Sequence, residues 1–138
     1  MINDILEKKL VDAGLAVVGQ TLFRNTMPAE IKVGIMSRNP LAGIMVDPHI
    51  EGWYKPNLQI IIRHTNPVLG LELCDDVTRC LLVERLERHE PTDEHGACHI
   101  TLFYPRQLPI QFPRLESNCI EWSLNFTTAF GLVPSWRP

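Results

Sequence analysis

Apolar positions recur with two different periods along this chain, and each change of period marks an element. Ile2, Ile5, Leu6, Leu10 and Ala13 recur at three- and four-residue intervals, which on a helix is one face. The spacing predicts a helix over about Asp4–Ala13. Asn3 or Asp4 caps it, Glu7 stands at capping-box distance from Asp4, Lys8 and Lys9 suit its C-terminal half, and Gly14 stops it. Leu15–Phe23 is short, apolar and β-prone and reads as a strand. Ile31–Met36 alternates through Ile31, Val33 and Ile35 and reads as a second. Asn57–His64 reads as a third, with Leu58, Ile60 and Ile62 on one face and Gln59, Ile61 and Arg63 on the other.

Asn66-Pro67 then supplies an N-cap and a first-turn proline for a second helix, running to about Glu87. Its apolar stripe is Leu73, Cys74, Val77, Cys80 and Leu81; its wet face is Glu72, Asp75, Asp76 and Arg79. The charged, turn-rich stretch Glu87–Ala97 reads as an exposed loop. Cys98–Tyr104 alternates as a strand with Cys98, Ile100, Leu102 and Tyr104 on one face. The clearest strand is Asn118–Phe130: Ile120, Trp122, Leu124, Phe126 and Phe130 point one way, Glu121, Ser123, Asn125 and Thr127 the other. Each large apolar side chain gains about 1.5–3 kcal/mol when fully buried, so this strand is expected to anchor the core.

Two segments break the pattern. Ser37–Lys55 holds Asn39-Pro40, Gly43, Asp47-Pro48 and Gly52, all turn or breaker signals, yet it also carries Leu41, Ile44, Met45, Val46, Ile50, Trp53 and Tyr54. A long connection this apolar needs something to bury it: either another protein surface, or this chain's own sheet edge with the loop as a lid. Contact with another chain is the favoured alternative. Pro105–Pro113, with Pro105, Pro109 and Pro113, reads as an extended arm. Trp136, near the chain end, is either an anchor on a neighbour or loose. The element order gives a fold class of α+β in a single domain: a mainly antiparallel sheet with two helices packed on one face, a long inter-strand loop and a Pro-rich arm.

Composition narrows the function. The chain has 138 residues and a formal net charge of −3. Its 13 basic residues are scattered among 16 acidic ones, with no sign of the basic face that phosphate contacts need. The first residues carry acids where a signal peptide has an apolar stretch. Cys74, Cys80, Cys98 and Cys119 therefore read as buried thiols of a reducing compartment.

Candidate chemistry is sparse. Asp93, Glu94, His95, Cys98 and His99 lie close together, but structural zinc commonly uses four ligands in paired spacings, and no CxxC occurs. Glu30-Ile31-Lys32 fits part of a two-metal nuclease pattern, yet its upstream acid, Asp12, sits on a predicted helix. No nucleophile elbow or Gly-rich phosphate loop is present. The expectation is a protein that is not an enzyme and holds no metal or cofactor.

The order of features resembles the tail terminator, or tail completion, proteins of long-tailed bacteriophages. The resemblance rests on the N-terminal helix, Leu22-Phe23, Met27-Pro28-Ala29-Glu30, the run Gly34–Gly43, Gly52-Trp53-Tyr54-Lys55, Leu58–Arg63, Tyr104-Pro105-Arg106 and Glu121–Phe126. It implies a virion structural protein, assembled in the host cytoplasm. It further implies a homohexameric ring whose partners are the tail tube protein and a head-side connector or neck protein, with DNA only as passing cargo and no membrane. Leu41, Ile44, Met45, Trp53, Tyr54, Arg106 and Trp136 are the interface residues expected on this basis. A neck or head-completion adaptor, or an assembly protein of an injection system, shares the same logic. A small metal-dependent enzyme is the remaining alternative.

Overall fold

A computed structural model describes residues 2–40, 43–92, 96–114 and 117–132. Its elements are α1 (Ile2–Asp12), β1 (Leu22–Arg24), β2 (Gly34–Arg38), β3 (Trp53–Tyr54), β4 (Asn57–His64), α2 (Pro67–Leu81), β5 (Glu87–His89), β6 (Cys98–Pro105), β7 (Ile110–Gln111) and β8 (Ile120–Leu132). They form the α+β fold that the sequence predicts, with both helices packed into one core against one side of a sheet. The sheet order is β1-β2-β4-β8-β6-β5. Every described strand pair is antiparallel except β1 with β2.

The strand β8 is paired along both edges. One edge takes β4 from His64↔Ile120 to Asn57↔Thr127, then β3 at Tyr54↔Phe130 and Trp53↔Gly131. The other takes β6 from Cys98↔Leu132 to Pro105↔Phe126, then β7 at Ile110↔Ser123 and Gln111↔Trp122. Alternation along β8 sends Ile120, Trp122, Leu124, Phe126 and Phe130 to the helix side, where all are buried. There the Phe126 and Phe103 rings lie tilted with centroids 4.6 Å apart. Trp122 is fully buried against α2, and only a glycine at position 70 permits the fit. A Cβ there would stand 2.2 Å from Trp122 Cη2.

Local chemistry sets the helix ends. Asn66 Oδ1 accepts from the Val68 and Leu69 N–H groups at 2.9 and 3.1 Å, with Pro67 as the first helical residue. At the end of α1, Gly14 takes φ +75°; its N–H donates to Val11 O, and the Leu15 N–H reaches back to Leu10 O. This is the Schellman closure that glycine permits.

Several sequence expectations are corrected. The helix α1 starts at Ile2, so Asn3 and Asp4 lie inside its first turn rather than capping it, and Ala13 is exposed beyond its end. The strand expected over Leu15–Phe23 shrinks to Leu22–Arg24, because Val17 O collects the N–H groups of Gln20, Thr21 and Leu22 in a tight turn. Ile31 and Val33 precede β2 rather than belonging to it. The helix α2 ends at Leu81, not near Glu87, because Val83 exchanges both backbone hydrogen bonds with Phe103 and is drawn into the core. The expected loop over Glu87–Ala97 begins with the edge strand β5. The Pro-rich arm is stitched to β8 through β7 and by the Arg106 and Phe112 N–H groups, while Gln107, Leu108 and Pro109 bow out from it. A bulge between Ile100 and Leu102 inverts the second half of β6, so Phe103 is buried where Leu102 and Tyr104 were expected.

Charged pairs tie α1 to both ends of the sheet path. Arg24 of β1 contacts Asp4 and Glu7 at 2.8 and 2.6 Å, and Glu87 of β5 contacts Lys9 at 2.9 Å. The sheet therefore curls far enough for its two edge strands to reach one short helix. Glu87 also meets His89 Nε2 at 2.6 Å. Burial opposes its charge, but hydrogen bonds from Lys9 and His89 outweigh that and hold its carboxyl below the ordinary value of 4.5.

Two outcomes follow from this packing. Gly70→Ala, measured by urea unfolding, is expected to lose about 1–3 kcal/mol through overpacking on Trp122; a loss below the error of the measurement would show that the ring has room to move. A carboxyl with a depressed folded pKa stabilises above its unfolded value and stops doing so as pH falls through the folded one. The stability difference between the native chain and Glu87→Gln should therefore be largest near neutrality and shrink once pH drops below 4.5. A difference that does not change with pH would remove the α1–β5 clasp.

Candidate functional site

The apolar loop joins β2 to β3 and splits into a tip and a base. At the tip, Met45 is 87% exposed, Val46 72% and Ile50 54%. The base is fixed: the Leu132 N–H donates to Gly52 O at 2.7 Å, and Gly52 takes φ +73°, with Leu132 O so near that a Cβ would stand 2.4 Å from it. Between the loop and the start of β4 lies a groove of about 690 Å³, lined by Pro40, Met45, Val46, Trp53, Lys55 and Asn57 among others.

The expected interface residues divide accordingly. Met45 is exposed at the tip. Ile44 is half-buried against the core. Tyr54 is half-buried too, its ring 5.6 Å from Phe130 on the helix side of the sheet. Trp53 is half-buried on the other side, its ring over Gly131. Arg106 is exposed, with its N–H on Asn125 O at 2.8 Å. Leu41 and Trp136 lie outside the described residues.

Strand register gathers residues that sequence reasoning left scattered. On the sheet face away from the helices, Arg88, His99, Gly131 and Trp53 form one row across four strands. Tyr104, Thr127 and Asn57 form another. Asn125, Gln59 and Arg38 form a third, with Arg106 beside Asn125. Lys55 sits between Trp53 and Asn57. Among the described residues, Arg38, Lys55, Arg88 and Arg106 take part in no ion pair. The carboxylate in register here, Glu121, is already held by Arg63 at 3.0 Å. Between the cations runs a neutral ladder, in which Gln59 and Asn125 both donate to Ser123 Oγ, at 2.7 and 3.0 Å. A basic face was not expected from a net-acidic sequence. The signal lay in cross-strand register, which the bulge in β6 resets.

The groups considered for metal or nucleophilic chemistry do not converge. Cys98 is fully buried on the helix side of β6, while His99 is exposed on the other; Asp93, Glu94 and His95 lie outside the described residues. Glu30 and Lys32 are exposed in a turn ahead of β2 rather than on a strand. Among the described residues, no cluster of three or more His, Cys, Asp or Glu side chains is placed to hold a metal. Cys74, Cys98 and Cys119 are buried, and Cys80 is half-buried with its thiol on Lys9 O, so the expectation of four buried thiols holds for three. Burial pushes the Cys74 thiol up to about 12 and the Cys98 thiol up to about 11, which keeps both protonated and weakly nucleophilic.

The structure presents two developed surfaces, the loop tip and the sheet face away from the helices. The profile described as bacteriophage tail terminator protein matches residues 9–131, most of the chain, and the chain belongs to this family. It is accordingly a structural component of a virion tail. A chain from the virion of a native gene transfer agent particle shares the fold, with a TM-score of 0.58 at 13% identity over 91% of each chain. No curated protein matches it.

Proposed function

We propose that this chain closes the end of a phage tail tube as a ring of identical subunits, hexameric on the family resemblance, and carries the joint between the tail and a head-side connector. The observation that carries the proposal is the loop between β2 and β3. Its base is locked to β8 through Gly52 and β3, yet Met45, Val46 and Ile50 are left exposed at its tip. An apolar tip on a rigid base loses little entropy on docking, and contiguous exposed apolar surface marks a site of association. Met45, Trp53 and Arg106 then contact neighbouring subunits or the tube. Ile44 and Tyr54 hold the loop base against the core from within.

A protein that caps a tube limits its growth. Adding the purified chain to polymerising tail tube protein should give shorter tubes by electron microscopy, with extra density at one end. The triple variant Met45→Ser, Val46→Ser, Ile50→Ser should fold normally, because exposed substitutions usually change stability by less than about 0.5 kcal/mol, but it should lose the shortening. Tubes of unchanged length with the native chain would contradict the capping role; capping by the triple variant would leave the role standing and remove the loop from it.

A further inference from the structure

The two surfaces on opposite sides of this molecule's two layers differ in charge. On one side is the sheet face away from the helices, closed near Arg63 by the turn at residues 28–31 and carrying Arg38, Lys55, Arg88 and Arg106, none in an ion pair among the described residues, with Trp53 and Tyr104 as large apolar groups. On the other side is the outer face of α2. This helix buries Gly70, Cys74, Val77 and Leu81 toward the sheet, which turns Glu72, Asp75 and Asp76 outward. The cation among them is Arg79, 2.8 Å from Asp75. The first turns of α2 also expose Val68 at 65%, Leu69 at 49% and Leu71 at 49%, more aliphatic surface than a solvated helix face carries.

We propose that these two faces are halves of one contact between copies of this chain: the cationic, aromatic sheet face of one subunit receives the acidic, aliphatic α2 face of the next. The inference rests on the ring proposed above and names the surfaces that would build it. Three observations support it. The charges are complementary, three carboxylates and one guanidinium against four unpaired cations. Each face offers apolar groups within its polar field, as interface cores and rims do. The faces are also two different patches on different sides of the molecule, as ring assembly needs, since each subunit must use one patch to the left and a different one to the right. Two like-charged faces brought together would repel, so a two-fold pair through either face is disfavoured.

Charge reversal tests the contact. One variant carries Arg38→Glu and Arg106→Glu, a second Asp75→Lys and Asp76→Lys, and a third all four changes. All sites are on the surface, and circular dichroism with urea unfolding checks that each variant folds. The mass of each species is followed by light scattering on a sizing column at low and high salt. The native chain should self-associate more strongly at low salt. Either two-site variant should dissociate at concentrations at least tenfold higher than the native chain, and the four-site variant should recover most of that loss. Mixing the two-site variants should give dimers that do not grow, because only one of the two possible contacts is then complementary.

If the native chain associates and the variants do so equally, this contact is wrong while the ring stands. A native chain that neither self-associates nor shortens tubes removes both. Should the Arg38→Glu, Arg106→Glu variant assemble normally but lose retention of duplex DNA that the native chain shows, the sheet face serves a polyanion and the subunit contact is overturned.

Discussion

The strand β8 is the constraint on which the rest depends. Its thirteen residues are hydrogen-bonded along both edges, to β4 and β3 on one side and to β6 and β7 on the other. A strand paired this way has little freedom of register, because a slip of one residue would move Trp122, Phe126 and Phe130 out of the core and put Glu121 and Asn125 into it. Everything attached to it inherits that precision. The loop base at Gly52 is tied to Leu132, the arm after Pro105 is tied through β7, and α2 is seated over Trp122 at Gly70.

A sheet with a fixed centre still has two edges, which are sites of unwanted pairing unless covered. Here β1 and β5 are short, and both are joined by charged side chains to α1. With edge-to-edge growth restrained, the faces and loops are the surfaces left for contact with other chains. The faces have distinct characters, because the helix layer brings an acidic outer surface and the open sheet shows cations. Such a division suits a tail component that must meet different neighbours on different sides. It also explains how a chain with a net charge of −3 can present a locally basic surface.

Much of this was legible in the sequence where one period ran uninterrupted. Asn57–His64 and the strand after Asn118 were readable because alternation is strict and each lies next to the other in the sheet. Pro67 and Gly14 marked helix ends through their backbone requirements. Errors arose where long-range pairing overrode local pattern. Nothing near Val83 announces that Phe103 will capture it, and nothing in Cys98–Tyr104 shows where the ladder bulges. The apolar loop was identifiable from composition, but not the division between its anchored base at Tyr54 and exposed tip at Met45. The cationic face was invisible, since Arg38, Lys55, Arg88 and Arg106 come from distant parts of the chain and meet only through register.

The most direct test is cryo-electron microscopy of tail tubes capped with this protein, at a resolution that separates helices from strands. The prediction is a closed ring of identical subunits in which the α2 layer of each copy faces the open sheet of its neighbour, with the loop between β2 and β3 at a subunit or tube contact. Subunits joined edge to edge through β1 or β5, or paired two-fold through like faces, would contradict it.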